Sequence, residues 1–308
     1  MTQDKVRVAL VAGHRYSERL AKAMVARLDC VDFVHAFVLH PKNAISYRGY
    51  ESSLEVLGKA GVGVSLFNKV SEIDVEFVRR KQIDFTFVCG LRQVIPRDLV
   101  RALSSSHGTG GVPYGRDRGV VCFHPSDLPE GRGMSPVQWA IFDGHIKGVV
   151  SGFYIDFCGI DSGPIVLKMP YAISAGDDAE DLHRKIGDAV GEMYRDLLPS
   201  VVGRNVAFEP QRVSTPVHVK QQLDDAAAWI DLQGDSVAYV LAKVRAFSRP
   251  YGGAYALLGG RVVNVFKAED APEGQLKGDD LEDMKTSGRL YARCADGVVC
   301  FLEYVYLS

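Results

Sequence analysis

Five apolar runs of strand-forming composition follow one another at Val6 to Ala12, Val31 to Leu39, Val62 to Phe67, Phe85 to Cys89 and Val120 to Phe123. Helical patterns separate them, among them Ser17 to Leu28, Ser71 to Lys81 and Pro96 to Leu103. The runs are nearly continuous in apolar residues rather than alternating, as parallel strands covered by helices on both faces require. This order predicts an open, Rossmann-like α/β domain with a mostly parallel sheet. Ser17 and Ser71, each followed by acidic residues, are read as helix caps.

From Gly148 the pattern changes. Two longer β runs, GVVSGFYIDF and GPIVLKMPYAI, flank the turn CGIDSG, and an amphipathic helix with an acidic first turn then closes the domain near residue 205. Residues 206–219, rich in Pro, Ser and Thr, are expected to be a linker. The C-terminal part, residues 220–308, has helical segments at Ala226 to Asp231 and Asp235 to Phe247. Short strands broken by Gly and Asp turns then suggest a small β-barrel. Ser104 to Gly119 is longer than a connection needs, so it is either a functional lid or a plain insertion.

Lys and Arg number 36 against 38 Asp and Glu, so no global positive field gathers nucleic acid or anionic membrane. The six cysteines lack C-x-x-C spacing, which points to packed thiols in a reducing cytoplasm rather than to disulfides, and no metal is expected. The first residues carry too short an apolar stretch for a signal peptide or a membrane span. The turn VAGHRYS after the first strand lacks G-x-G-x-x-G, which disfavours a dinucleotide. Its His14 could meet a phosphate or solvent.

The chemistry concentrates in FHPSDLPEGRG and GIDSGPI. His124 leaves an apolar strand at the end where open α/β sheets hold ligands, and Pro125 and Pro129 limit the backbone around it. An imidazole held there can hydrogen-bond a developing oxyanion or handle a proton. Asp161 sits in a glycine-flanked turn, where the chain can approach a ligand and a carboxylate can accept a proton. Arg132 could meet a carboxylate, a phosphate or solvent.

HPSDLPEGRGMSPVQWAI, GIDSGPI and IDFTFVCGLRQVIPRDLV, with WIDL, VRAFSRPYGGAYALLGGRVV and GRLYARCADG in the tail, resemble the folate-dependent formyltransferase family. That family includes methionyl-tRNA, glycinamide ribonucleotide and nucleotide-amino-sugar formyltransferases. The resemblance implies a Rossmann-like catalytic domain and an OB-like C-terminal barrel. It also implies N10-formyltetrahydrofolate as co-substrate, and an amine that attacks the formyl carbon. It makes His124 the oxyanion-stabilising residue and Asp161 the residue that positions it and helps move the amine proton. It places folate along Cys89, Gly90, Leu91, Arg92, Gln93, Val94 and Ile95, through main-chain groups, with Asp156 added to that set. Ser126, Arg132 and Gly133, at the turn after His124, are expected to bind the acceptor.

The family's asparagine two positions before the histidine is Cys122 here. Losing such an amide donor costs about 2.7 to 4 kcal/mol of transition-state stabilisation. Cys122 and His124 share one face of a strand, so a thiol nucleophile is geometrically open. The substitution also leaves open a formyltetrahydrofolate hydrolase and a non-catalytic folate binder. From Gln211 onward, 11 Lys and Arg stand against 13 Asp and Glu, which disfavours a tRNA acceptor without removing it. A small amine, foremost a nucleotide-linked amino sugar, fits better, and a homodimer is left open.

Overall fold

The computed structural model describes residues 5–13, 16–44, 52–105, 112–212, 219–272 and 288–307. His14 and residues 106–111 of the Ser104 to Gly119 insertion lie outside them. The chain divides into two compact units, one of residues 1–133, 147–172 and 183–220, the other of residues 134–146, 173–182 and 221–308.

In the first unit, β1 (Val6–Ala12), α1 (Tyr16–Val25), β2 (Val31–Leu39), α2 (Pro41–Ala44), α3 (Leu54–Lys59), β3 (Val64–Phe67), α4 (Val75–Arg80), β4 (Phe85–Cys89), α5 (Arg97–Ala102) and β5 (Gly119–His124) alternate strand with helix. The seven-stranded sheet has the order β3-β2-β1-β4-β5-β6-β7. β1 to β5 are parallel, whereas β6 (Lys147–Tyr154) and β7 (Ile165–Ala172) add antiparallel at one side. A loop rather than a covering helix joins β6 to β7, and such a connection permits only the antiparallel sense.

Both faces are covered, which accounts for the continuous apolar runs. On one face Ala9, Val11, Phe37, Leu39 and Val88 join Val78, Leu99 and Val100 of α4 and α5 in one core. On the other, Phe87 meets Tyr194 of the long helix α7 (Ala179–Val202) edge to face, ring centroids 5.0 Å apart. Neighbouring residues of β4 thus serve opposite cores, as strand pleating dictates.

The helix starts differ from the sequence reading. Asp74, not Ser71, caps α4 and accepts the N–H groups of Glu76 and Phe77, while Ser71 lies in a separate 3-10 turn, Val70–Glu72. Ser17 is inside α1 and buried. Its hydroxyl accepts the Gly13 N–H at 3.2 Å and donates to the Cys89 carbonyl at 2.8 Å, tying the ends of β1 and β4 together. Because the helix already begins at Tyr16, Ser17 does not occupy its N-cap position.

The second unit holds a curled antiparallel sheet in the order β10-β11-β9-β8, from β8 (Ala254–Leu258), β9 (Arg261–Ala271), β10 (Leu290–Cys294) and β11 (Gly297–Tyr306). Register shifts between β11 and β9 bend it into a barrel-like form. α8 (Val237–Phe247) is capped by Ser236 and packs Phe247 against Phe142 of α6 (Pro136–Phe142). Only a 3-10 turn, Ala226–Ala228, forms where a helix over Ala226 to Asp231 is expected. No described helix is long and apolar enough to cross a membrane.

Candidate active site

The carboxyl ends of β4 and β5 build the site. Cys89 pairs with Phe123 and Val88 with Cys122 across these strands, so the chain leaves β4 into residues 90–95 directly beside His124. On the other side His124 pairs with Ser151 of β6. Loop residues anchored by adjacent strand ends inherit the rigidity of the sheet, and ligands of open α/β folds lie beyond these ends.

His124 is buried, and its Nε2 lies 2.8 Å from the Gly131 carbonyl oxygen, which can only accept, so Nε2 carries a proton. The Ser126 hydroxyl donates to the same carbonyl at 2.8 Å. The other ring nitrogen, Nδ1, faces Asp161 Oδ2 at 3.7 Å. That carboxylate oxygen also accepts the Gly133 N–H at 2.9 Å. Asp161 has φ +50°, the left-handed conformation that short polar residues tolerate best among those with a Cβ. Next to it, a Cβ at Gly163 would stand 1.7 Å from the Tyr154 carbonyl oxygen, so that position admits no side chain.

The two motifs read from the sequence therefore meet. Segments 131–133 and 161–163 are joined by a second connection through Gln211. Its Nε2 donates to the carbonyls of Asp161 and Gly163, each at 2.8 Å, and its Oε1 accepts from Arg132 Nε at 3.1 Å and Nη2 at 2.5 Å. Arg132 is thus held by an amide rather than by a carboxylate. Gly133, at φ +106°, lies so close to Lys220 that a Cβ would meet the Lys220 carbonyl oxygen at 2.4 Å.

Cys122 is partly exposed as a residue, but its thiol is pushed well above the ordinary range, first by burial and then by the Asp161 carboxylate and Cys89. The same environment that allows contact with the site therefore keeps sulfur protonated, and a thiol is a poor nucleophile. Cys89 is fully buried and its thiol is likewise pushed up by burial.

Of the remaining sequence candidates, Gly90 takes φ +65°, Ile95 is buried, and Leu91 packs at the core's edge while Val94 is exposed. The Gln93 side chain accepts the Val70 N–H at 2.7 Å and donates to the Asn68 carbonyl at 3.2 Å, so it braces the loop. Among the described residues, the main chains of Leu91 and Val94 have no hydrogen-bond partner, leaving donors and acceptors for a flat heteroaromatic edge. Asp156 Oδ1 accepts the Cys158 N–H at 3.1 Å and the Ser162 hydroxyl at 2.7 Å, shaping the loop that presents Asp161. Among the described residues, no cluster of His, Cys, Asp or Glu could hold a metal ion.

Three supporting residues escaped the sequence reading. Ser151 donates to the Ser126 carbonyl at 2.7 Å and accepts the Leu128 N–H at 3.2 Å, and Lys168 reaches Asp127 at 2.5 Å and the Leu128 carbonyl at 2.6 Å. A polar residue inside each of two apolar strands was the available signal. Gln211 had none, because its neighbourhood has no periodicity to break.

The profile of the formyl transferase family matches residues 68–198, and that of its C-terminal domain matches residues 222–305. The chain belongs to the formyl transferase family. The match runs through β4, β5, His124 and Asp161 of this family member and continues into its curled sheet. A methionyl-tRNA formyltransferase from Myxococcus xanthus is 29% identical over 200 residues, 63% of this chain and 57% of that protein. The chain thus spans less than two thirds of that relative's length. Among solved structures, WlaRD, a sugar 3N-formyl transferase in the presence of dTDP and 5-N-formyl-THF, superposes with TM-score 0.68 at 14% identity, covering 98% of this chain and 99% of that one. HypX from Aquifex aeolicus in complex with tetrahydrofolic acid gives TM-score 0.62 at 17% identity, covering 97% of this chain and 45% of that one. At these identities the two structures establish likeness of fold.

Proposed function

We propose that this family member is an N-formyltransferase that moves a formyl group from N10-formyltetrahydrofolate to the primary amine of a small substrate, foremost a nucleotide-linked amino sugar. The observation that carries the reading is the convergence of His124 and Asp161, 3.7 Å apart, beside the open main chain that follows β4. The residues present fit a folate: main-chain donors and acceptors at Leu91 and Val94 suit a pterin edge, and the left-handed Gly90 turns the chain toward it.

When bound, the folate supplies an activated one-carbon group. The chain's residues do the rest. As the amine nitrogen bonds to the formyl carbon, negative charge grows on the formyl oxygen, and the His124 N–H turns to it. The Gly131 carbonyl can release that N–H because the Ser126 hydroxyl still donates to it, so no buried acceptor is orphaned. Asp161 takes the amine proton, directly or through water, and that proton passes to the folate nitrogen as its bond to the formyl carbon breaks. Cys89, Arg92, Gln93, Ile95 and Asp156 complete the folate-side set, and Ser126, Arg132 and Gly133 the acceptor side.

The neutral balance of the C-terminal residues supports a small acceptor, as does likeness of fold along both chains with the sugar 3N-formyl transferase. Sequence identity to methionyl-tRNA formyltransferases favours a second reading, an aminoacylated tRNA. Incubation with N10-formyltetrahydrofolate separates the readings, with tetrahydrofolate release followed against a panel of dTDP- and UDP-linked amino sugars, hydroxylated ornithine and methionyl initiator tRNA. Release that depends on an amino sugar supports the first reading, and release that depends on tRNA replaces it with the second. Release without amine would mean hydrolysis, and binding with no release would mean a folate-binding protein; either outcome refutes transfer.

A further inference from the structure

We propose that Gln211 is a positioning residue for the reaction, a two-ended clamp that sets Asp161 from one end of its carboxamide and Arg132 from the other. The role rests on the formyl transfer proposed above. Gln211 lies in a segment whose neighbours Glu209, Pro210 and Arg212 are exposed, yet its own side chain turns inward. Both amide protons are used, on the Asp161 and Gly163 carbonyls, and the oxygen takes two N–H groups of Arg132. A carboxamide offers two donors and two acceptor positions at opposite ends of one plane, and here all four are spent.

The need for such a clamp is visible at Asp161. Its left-handed backbone is less favourable than the ordinary regions even for a short polar residue, so the turn gains from being held. The restraint comes from its carboxylate, which accepts the Gly133 N–H, and from its carbonyl, which Gln211 fixes. Both connections join the 161–163 turn to the 131–133 turn that carries the carbonyl bound by His124. At the other end, the partner of Arg132 is neutral. Among the described residues no carboxylate forms an ion pair with the oriented guanidinium, which suits an anionic group on the acceptor.

Variants that break opposite ends of the clamp test the role. Gln211→Lys keeps donors for the two carbonyls and sets a positive charge against Arg132. Gln211→Met removes both ends at similar volume. With a dTDP-linked 3-amino sugar as acceptor, Gln211→Lys is expected to raise KM for the acceptor about tenfold with kcat within about threefold of wild type. Gln211→Met is expected to lower kcat at least tenfold as well. Affinity for 5-formyltetrahydrofolate, measured by calorimetry, stays within about twofold in both, and the melting temperature does not follow the activity. Wild-type kinetics in Gln211→Met, or losses that track melting temperature across both variants, overturn the clamp. If the wild type transfers no formyl group to any amine, the formyl-transfer reading falls by itself. The clamp is then judged by NMR on the Gly133 amide and His124 imidazole nitrogens of Gln211→Met: displaced signals support it, and unchanged signals overturn it.

Discussion

Replacing Asp161 by Asn removes one unit of charge and almost nothing else. The side-chain oxygen can still accept the Gly133 N–H, and asparagine tolerates the left-handed backbone at φ +50°, so the turn survives. What disappears is the negative charge that faces His124 Nδ1 at 3.7 Å, with side chains only 10% and 19% exposed. At the effective dielectric of about 20 that suits such sites, a carboxylate about 4 Å from the positive charge that develops on the attacking amine nitrogen is worth about 4 kcal/mol. If the carboxylate serves the transition state, that energy corresponds to a loss of about a thousandfold in kcat. The assay is amine-dependent release of tetrahydrofolate under saturating donor, with 5-formyltetrahydrofolate affinity and melting temperature as controls. A variant that folds, binds the folate and keeps more than about a tenth of wild-type kcat would refute the reasoning, because a charge with so small an effect cannot be the proton acceptor.

Cys122→Ser is expected to keep most of the turnover, since burial holds the native thiol protonated. Near neutral pH, iodoacetamide should modify the exposed Cys158 and spare Cys122, as peptide mapping would show. Gly163→Ala drives a Cβ to 1.7 Å from the Tyr154 carbonyl oxygen, so it should cost about 3 kcal/mol or more and lower the melting temperature together with activity. His35, a buried residue of β2 packed edge to face against Phe77, has its pKa lowered from 6.5 to about 4 by burial and then by Lys81. The unfolded chain therefore binds this proton first on acidification. The stability is present in full above pH 6.5 and is lost as pH falls toward about 4, by about 3 kcal/mol in all. Urea midpoints across that window, flattened in His35→Asn, check the sign.

The apolar runs, the helix-bearing gaps between them and the Gly and Asp turns of the tail were enough to read a parallel α/β unit followed by a small antiparallel one. Burial on two faces leaves a continuous hydrophobic signature that does not depend on partners. His124 and Asp161 were legible for a related reason: proline and glycine limit the backbone around each, and those restrictions are local. The sequence could not register how Gln211, from an unpatterned stretch, reaches the carbonyls of Asp161 and Gly163, or that Ser17 ties two strand ends instead of capping a helix. Nor could it say that the cysteine in the asparagine's place sits where burial silences its thiol. Patterns of burial repeat along a chain and survive in one dimension. A hydrogen bond between residues fifty positions apart exists only once both turns have been brought together, and the protonation of a buried group is set by whatever surrounds it there.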